Sequence, residues 1–103
     1  MPEIKKYAPA IYLEKNGYEG CRARIFLYGE NGKFLGTISF HDAGVQPPPT
    51  GVGANGELFA SCLFGIYDDA IDLLRHEGPV FYERINNSTR LTCGQEPAGE
   101  AET

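Results

Sequence analysis

The fold is decided by residues 21–41, which read CRARIFLYGENGKFLGTISFH. Residues 21–28 alternate between small apolar side chains and larger or charged ones, a period of two that is typical of a half-buried strand. The core side is expected to carry Cys21, Ala23, Ile25 and Leu27, and the half-exposed side Arg22, Arg24, Phe26 and Tyr28. Asn31-Gly32 predicts a tight turn, because both residues tolerate a positive φ angle. We therefore expect a β-hairpin.

The returning strand is expected over residues 33–41. Its alternation puts Phe34, Ile38 and Phe40 on one face and Lys33, Leu35, Thr37, Ser39 and His41 on the other. Gly36 stands in the middle of this strand, where glycine predicts a β-bulge or the close approach of a neighbour.

Further strands are expected on both sides of the hairpin. They cover residues 8–14, 58–64, 79–86 and 89–94. The first has Pro9 near its start, which favours an edge position, and the second is almost wholly apolar, which predicts a buried strand. Turns are expected at residues 15–17 and 87–88.

Residues 68–77 predict the single helix. Asp68 is the expected N-cap, and Gly78 followed by Pro79 is expected to end the helix. The apolar stripe of the helix consists of Ala70, Ile71, Leu73 and Leu74. His76 lies in the last turn, where a partial positive charge interacts favourably with the helix dipole.

The element order β-β-β-loop-β-α-β-β predicts an α+β fold, with an antiparallel sheet of five or six strands and one helix packed on one face. Residues 1–94 are expected to form a single domain, and residues 95–103 a flexible acidic tail. One helix covers only part of such a sheet, so loop 42–57 or a second copy of the protein is expected to cover the rest.

Composition excludes several classes of protein. The 103 residues carry a net charge of −5, so no basic stripe is available for nucleic acid. No apolar run has the length of a membrane span, and the first twenty residues contain no signal core, which predicts a cytoplasmic protein. The three cysteines are isolated from one another, which favours free thiols in a reducing compartment and neither a metal site nor a cofactor.

One stretch carries a resemblance to known proteins. Residues 72–80 read DLLRHEGPV and are followed by Phe81-Tyr82 and Asn86, and residues 96–100 read EPAGE. Together with the hairpin from Cys21 to Gly36, these residues resemble a family of small uncharacterised bacterial proteins, some of which are carried on integron (mobile) gene cassettes. The resemblance implies a small α+β fold. It implies no activity and assigns no catalytic residue.

The catalytic inventory is small. His41-Asp42 stands where the hairpin ends and the proline-rich loop begins, a position where sites often form. If residues 58–64 pair with residues 33–41, Cys62 approaches His41 and completes a Cys/His/Asp set. The alternative is a strand-end histidine that is bonded to its own loop. We assign no catalytic residue, and a cysteine-dependent enzyme remains a minor alternative.

Aromatic residues on the strands outnumber those that one small core needs, which makes them candidates for an interface or a pocket as well as for the core. Pro47–Pro49 stiffen loop 42–57, which is expected to fold over one end of the sheet near His41 and Asp42. There the loop either rims a pocket or lies across a dimer interface. The candidate ligand or interface residues are His41, Asp42, Pro48, Tyr12, Phe26, Tyr28 and Tyr82.

These observations favour a small non-enzymatic interaction domain that acts as a homodimer or with a protein partner, through a sheet face or an edge strand. The alternative is a small-molecule-binding protein whose pocket lies between the sheet, the helix and loop 42–57.

Overall fold

The computed structural model describes residues 3–14, 20–44, 46 and 48–93. The turn expected at residues 15–17, the first of the three prolines and the acidic tail lie outside the described residues. The described strands are β1 (Glu3–Ile4), β2 (Lys6–Ile11), β3 (Cys21–Tyr28), β4 (Phe34–His41), β5 (Gly51–Val52), β6 (Leu58–Leu63), β7 (Val80–Ile85) and β8 (Ser88–Thr92). The α-helix, α1, spans Tyr67–His76. No helix in the part of the chain that the structure describes is long and apolar enough to cross a membrane.

The strands form two sheets. The larger has the order β2-β3-β4-β6-β5, and the smaller has the order β1-β7-β8. The α+β class with mostly antiparallel pairing is confirmed, but β4 and β6 run parallel. The long connection between these two strands allows a parallel crossover, which a tight turn does not. The single sheet of the sequence prediction is therefore two sheets.

The β3–β4 hairpin forms as predicted. The core side of β3 is 0–3% exposed, and the opposite side is half-buried. Asn31 and Gly32 have φ angles of 57° and 75°, which confirms the turn that the Asn-Gly pair predicts.

Gly36 reverses the alternation of β4. Leu35 was predicted on the face opposite Ile38 and Phe40, yet all three are buried in one core cluster, and Phe34 lies on the other face. The cause is a register shift opposite Leu27 and Tyr28, where Gly36 adopts a φ angle of 135°. A Cβ atom at Gly36 would collide with the backbone carbonyl of Leu58 on β6. Both the bulge and the close neighbour that glycine predicts are confirmed.

The core lies on one side of the larger sheet, which we call the inner face. Helix α1 and the smaller sheet pack there through Ala70, Ile71 and Tyr82. The cluster from the larger sheet consists of Ala23, Ile25, Leu27, Leu35, Ile38 and Phe40, with Leu58, Ala60 and Cys62 partly buried against it. Of the predicted helix stripe, Ala70, Ile71 and Leu74 pack in this core.

Several local predictions are wrong. Strand β6 is half-buried, since Phe59 and Leu63 are 40% and 47% exposed. Helix α1 follows a short 3-10 turn, so Ile66 and not Asp68 precedes it. The helix ends at His76, and Glu77 after it, in an extended conformation, takes the capping position that was expected for Gly78.

Strand boundaries also move. Strand β2 starts earlier than expected, and β1 was not predicted. The turn between β7 and β8 is Asn86-Asn87, both at positive φ, and β5 lies within loop 42–57. A two-residue strand carries too little sequence for an alternation to show.

Candidate interaction surface and inner cavity

The face of the larger sheet opposite α1 carries three rows of side chains in register. The rows are Arg24–Ser39–Ser61, Phe26–Thr37–Phe59 and Tyr28–Phe34. We call these residues the outer face. Two of the candidate residues, Phe26 and Tyr28, belong to it.

Aromatic rings form a continuous line across the outer face. The ring centroids of Tyr28 and Phe34 are 5.7 Å apart, and those of Phe34 and Phe59 are 6.2 Å apart. These distances lie in the range of favourable tilted ring contacts. The line crosses β3, β4 and β6, and Phe59 at its end is 40% exposed.

Two more candidates lie beside the outer face. The Arg24 guanidinium carbon is 6.0 Å from the centre of the Tyr12 ring, and Arg24 Nε donates to Ser39 Oγ at 3.3 Å. Pro48 lines a shallow cavity of about 460 Å³ over this face, together with Pro49 and three phenylalanines, Phe26, Phe34 and Phe59. The structure therefore gathers Tyr12, Phe26, Tyr28 and Pro48 on one side of the sheet.

His41 lies elsewhere, buried at the end of β4 with 3% exposure. Its Nδ1 is 3.0 Å from the carbonyl oxygen of Gly20, and its Nε2 is 3.8 Å from Cys21 Sγ. These contacts fix the ring against the segment that enters β3, and they leave it no exposed surface for a ligand.

Asp42 forms an ion pair with Arg22, with Oδ2 2.9 Å from Nη2. Arg22 also donates to the backbone carbonyls of Tyr12 and Glu14, at 2.7 and 2.9 Å. The hydrogen bond from Arg22 holds the pKa of the Asp42 carboxyl below its usual range. This arrangement ties the segment after β2 to the end of β4.

The Cys/His/Asp set is not joined by hydrogen bonds among the described residues. Cys62 pairs with Phe40 in the β4–β6 register, whereas His41 and Asp42 bind Gly20, Cys21 and Arg22. Burial raises the pKa of the Cys62 thiol, which lowers the fraction of reactive thiolate. The described residues contain no group of three or more His, Cys, Asp or Glu that could hold a metal ion.

The last candidate, Tyr82, lies in the core with 1% exposure. Its hydroxyl donates to the carbonyl oxygen of Thr37 at 2.9 Å and lies 3.2 Å from that of Leu58. Burial raises the pKa of Tyr82 far above its usual range. Tyr82 thus connects the smaller sheet to β4 and β6.

A second cavity, of about 520 Å³, lies between the inner face, helix α1 and strands β7–β8. We call it the inner cavity. Thr50 from loop 42–57 also lines it, so it occupies the position that the sequence predicted for a pocket. Sequence reasoning missed Arg84 in its wall, although the signal was present. Val80, Tyr82 and Arg84 alternate along β7, which places a cation in line with two core residues.

Compared with models of known protein families, with curated proteins and with solved structures, the chain matches none of them.

Proposed function

We propose that the protein is a non-enzymatic interaction domain that forms a homodimer through the outer face. The supporting observation is the aromatic line Tyr28–Phe34–Phe59 on the side of the sheet that faces away from α1. Burial of aromatic side chains dominates the energetics of protein interfaces.

The edges of the larger sheet are poorer contact surfaces than its outer face. Strand β5 at one edge has two residues, which is too short to template another strand. Strand β2 at the other edge carries Lys6, a charge of the kind that blunts strand edges, and Pro9, which cannot donate a ladder hydrogen bond.

The charge of the outer face suits a second copy of this chain. The protein carries a net charge of −5, yet none of the outer-face residues is acidic. The one guanidinium, Arg24, stands in an end row against Tyr12. In a two-fold dimer each patch meets itself, so an uncharged aromatic centre avoids repulsion between like charges.

The area of the face sets the expected strength of the dimer. The four longer strands, at ~4.8 Å spacing and about 20 Å length, give roughly 380 Å², against about 800 Å² per partner in a standard interface. Pro48 and Pro49 beside the face are expected to supply part of the difference. We therefore expect a dissociation constant in the micromolar range.

Light scattering coupled to size-exclusion chromatography tests the proposal. The wild type should be dimeric at about 100 μM, and Phe59→Glu should be monomeric. Ile85→Glu is the matched control, since Ile85 is an apolar residue on another strand with similar exposure, 46% against 40%. A monomeric wild type, or a dimeric Phe59→Glu variant, overturns the proposal.

The proline-rich segment is tested in the same assay. Replacing Pro48 and Pro49 with serine should raise the dissociation constant of the dimer, because both prolines lie beside the proposed contact. The melting temperature should change little. An unchanged dimer would mean that the segment is only a connection.

A second candidate function is the binding of a small molecule in the inner cavity. Its volume of about 520 Å³ lies within the range of ligand sites, and its position between sheet, helix and loop favours this candidate.

We also propose a cytoplasmic location and a bacterial, integron-cassette origin. The location is supported by Cys21, Cys62 and Cys93, which are all free thiols, as in a reducing compartment. The origin is supported by the sequence resemblance alone.

A further inference from the structure

We propose that the inner cavity binds a small monocarboxylate with a short hydrocarbon body, with its carboxylate on Arg84. This inference deepens the second candidate function and is independent of the dimer.

The floor of the inner cavity is apolar. It is formed by Ile38, Phe40, Ala60, Leu73 and Leu91, which come from both sheets and from helix α1. Ile38 and Phe40 belong to the core cluster, and Ala60 and Leu91 pack against it, so most of the floor is held in place by the core. A hydrocarbon body placed on it removes apolar surface from water, which is the main driving force for ligands of this kind.

Arg84 supplies the polar end of the site. The preceding residues on its face of β7, Val80 and Tyr82, are buried, at 4% and 1% exposure, whereas Arg84 is exposed and lines the cavity. Its Nη1 donates to Thr89 Oγ1 at 2.9 Å, from the residue directly opposite on β8. This hydrogen bond holds the guanidinium along the cavity wall.

The remaining donors of Arg84 are available to a ligand. Among the described residues, its other guanidinium N–H groups make no hydrogen bond, so one side of the planar fork is open for bidentate contact with a carboxylate. The Thr89 hydroxyl accepts from Arg84 and can donate its own proton to the same carboxylate.

The neighbouring charges favour a single carboxylate. Arg90 is held by Glu83, with Nε 2.7 Å from Oε2, so its charge is already paired. Asp69 in the first turn of α1 lines the same cavity and would repel a second carboxylate. The site should therefore prefer a monocarboxylate to a dicarboxylate of the same length.

Nuclear magnetic resonance titration of the full chain with sodium hexanoate, adipate, hexanol and hexylamine tests this assignment. Hexanoate should shift the amide signals of Ala60, Leu73 and Leu91 and bind more tightly than the other three compounds. Arg84→Gln should weaken hexanoate binding at least tenfold, the effect of losing a charged hydrogen-bond donor. Arg75→Gln, on an exposed part of α1 outside the cavity lining, should leave it unchanged.

Each other outcome has a defined meaning. Equal binding of hexanol overturns the carboxylate assignment but retains the cavity as a ligand site. Tighter binding of hexylamine also overturns it and indicates that Asp69 binds the ligand. Tighter binding of adipate overturns it as well and indicates a second cationic group in the cavity. If no compound binds, the assignment and the second candidate function both fail. Hexanoate binding by Phe59→Glu should equal that of the wild type, which separates this result from the dimer.

Discussion

Replacing Gly36 with alanine measures how closely β4 and β6 approach each other. At this position the φ angle of 135° favours glycine, and an added Cβ atom would meet the backbone nitrogen, carbon and carbonyl oxygen of Leu58. Backbone atoms of a paired strand cannot rotate away as a side chain does. The two strands must therefore separate locally.

The expected cost has two parts. Forcing alanine into a glycine-only region costs about 1–3 kcal/mol. Separating the strands loses at least two buried ladder hydrogen bonds, at about 1 kcal/mol each. The sum, roughly 3–5 kcal/mol, is a large fraction of the ~5–15 kcal/mol by which such a domain is stable. It corresponds to a fall in melting temperature of at least about 12 °C.

Urea denaturation followed by circular dichroism gives the free energy of unfolding. Gly32→Ala is the matched control, because Gly32 also has a positive φ angle, 75°, but no heavy atom lies within 4 Å of its added Cβ. The free energy of unfolding of Gly32→Ala should fall only by the cost of placing alanine in a left-handed backbone conformation, about 1–2 kcal/mol. If the two variants are equally stable, the close approach of β4 and β6 does not exist and the reasoning fails.

Two further predictions concern polar contacts. Tyr82→Phe should lower the free energy of unfolding by about 1–2 kcal/mol, because it removes the buried hydrogen bond to Thr37. Tyr28→Phe should change it little, because the hydroxyl of Tyr28 binds no described residue. Because burial raises the pKa of Tyr82, the wild type should be more stable than Tyr82→Phe below pH ~10, and this difference in the free energy of unfolding should shrink as the pH rises further. A difference that stays constant with pH would contradict this. Arg22→Gln should raise the pKa of Asp42 toward its usual range in a carboxyl titration by nuclear magnetic resonance, and an unchanged titration would refute the ion pair.

Local patterns gave the central part of the fold. Strand β3 begins and ends at the predicted residues, Cys21 and Tyr28, because alternation and an Asn-Gly turn act over a few neighbouring positions. The position of Gly36 indicated a bulge. Which side chains of β4 then point to the core depends on the register with β3, and local sequence patterns do not predict that register.

The positions of the candidate residues were predictable only where they depend on local alternation and not on long-range contacts. The alternation that puts Phe26 and Tyr28 on the half-exposed side of β3 was sufficient to predict part of the outer face. By contrast, the burial of His41 follows from the segment before β3, and that of Tyr82 follows from the packing of β7 on β4 and β6. Neither contact involves residues that are near each other in the chain.

The pairing of β1 with β7 has a consequence for the order of folding. Glu3 lies opposite Phe81, so the smaller sheet closes a loop of nearly the whole domain. Closing a loop of about 80 residues costs roughly 4 kcal/mol in chain entropy before any constant term, against about 1.4 kcal/mol for the loop of the β3–β4 hairpin, residues 29–33. We expect the β3–β4 hairpin to form early and β1 to dock last. Pulse-labelled hydrogen exchange should then detect protection of the Ile25 amide before that of Ile4. During synthesis on the ribosome, β1 should pair only after β7 has emerged.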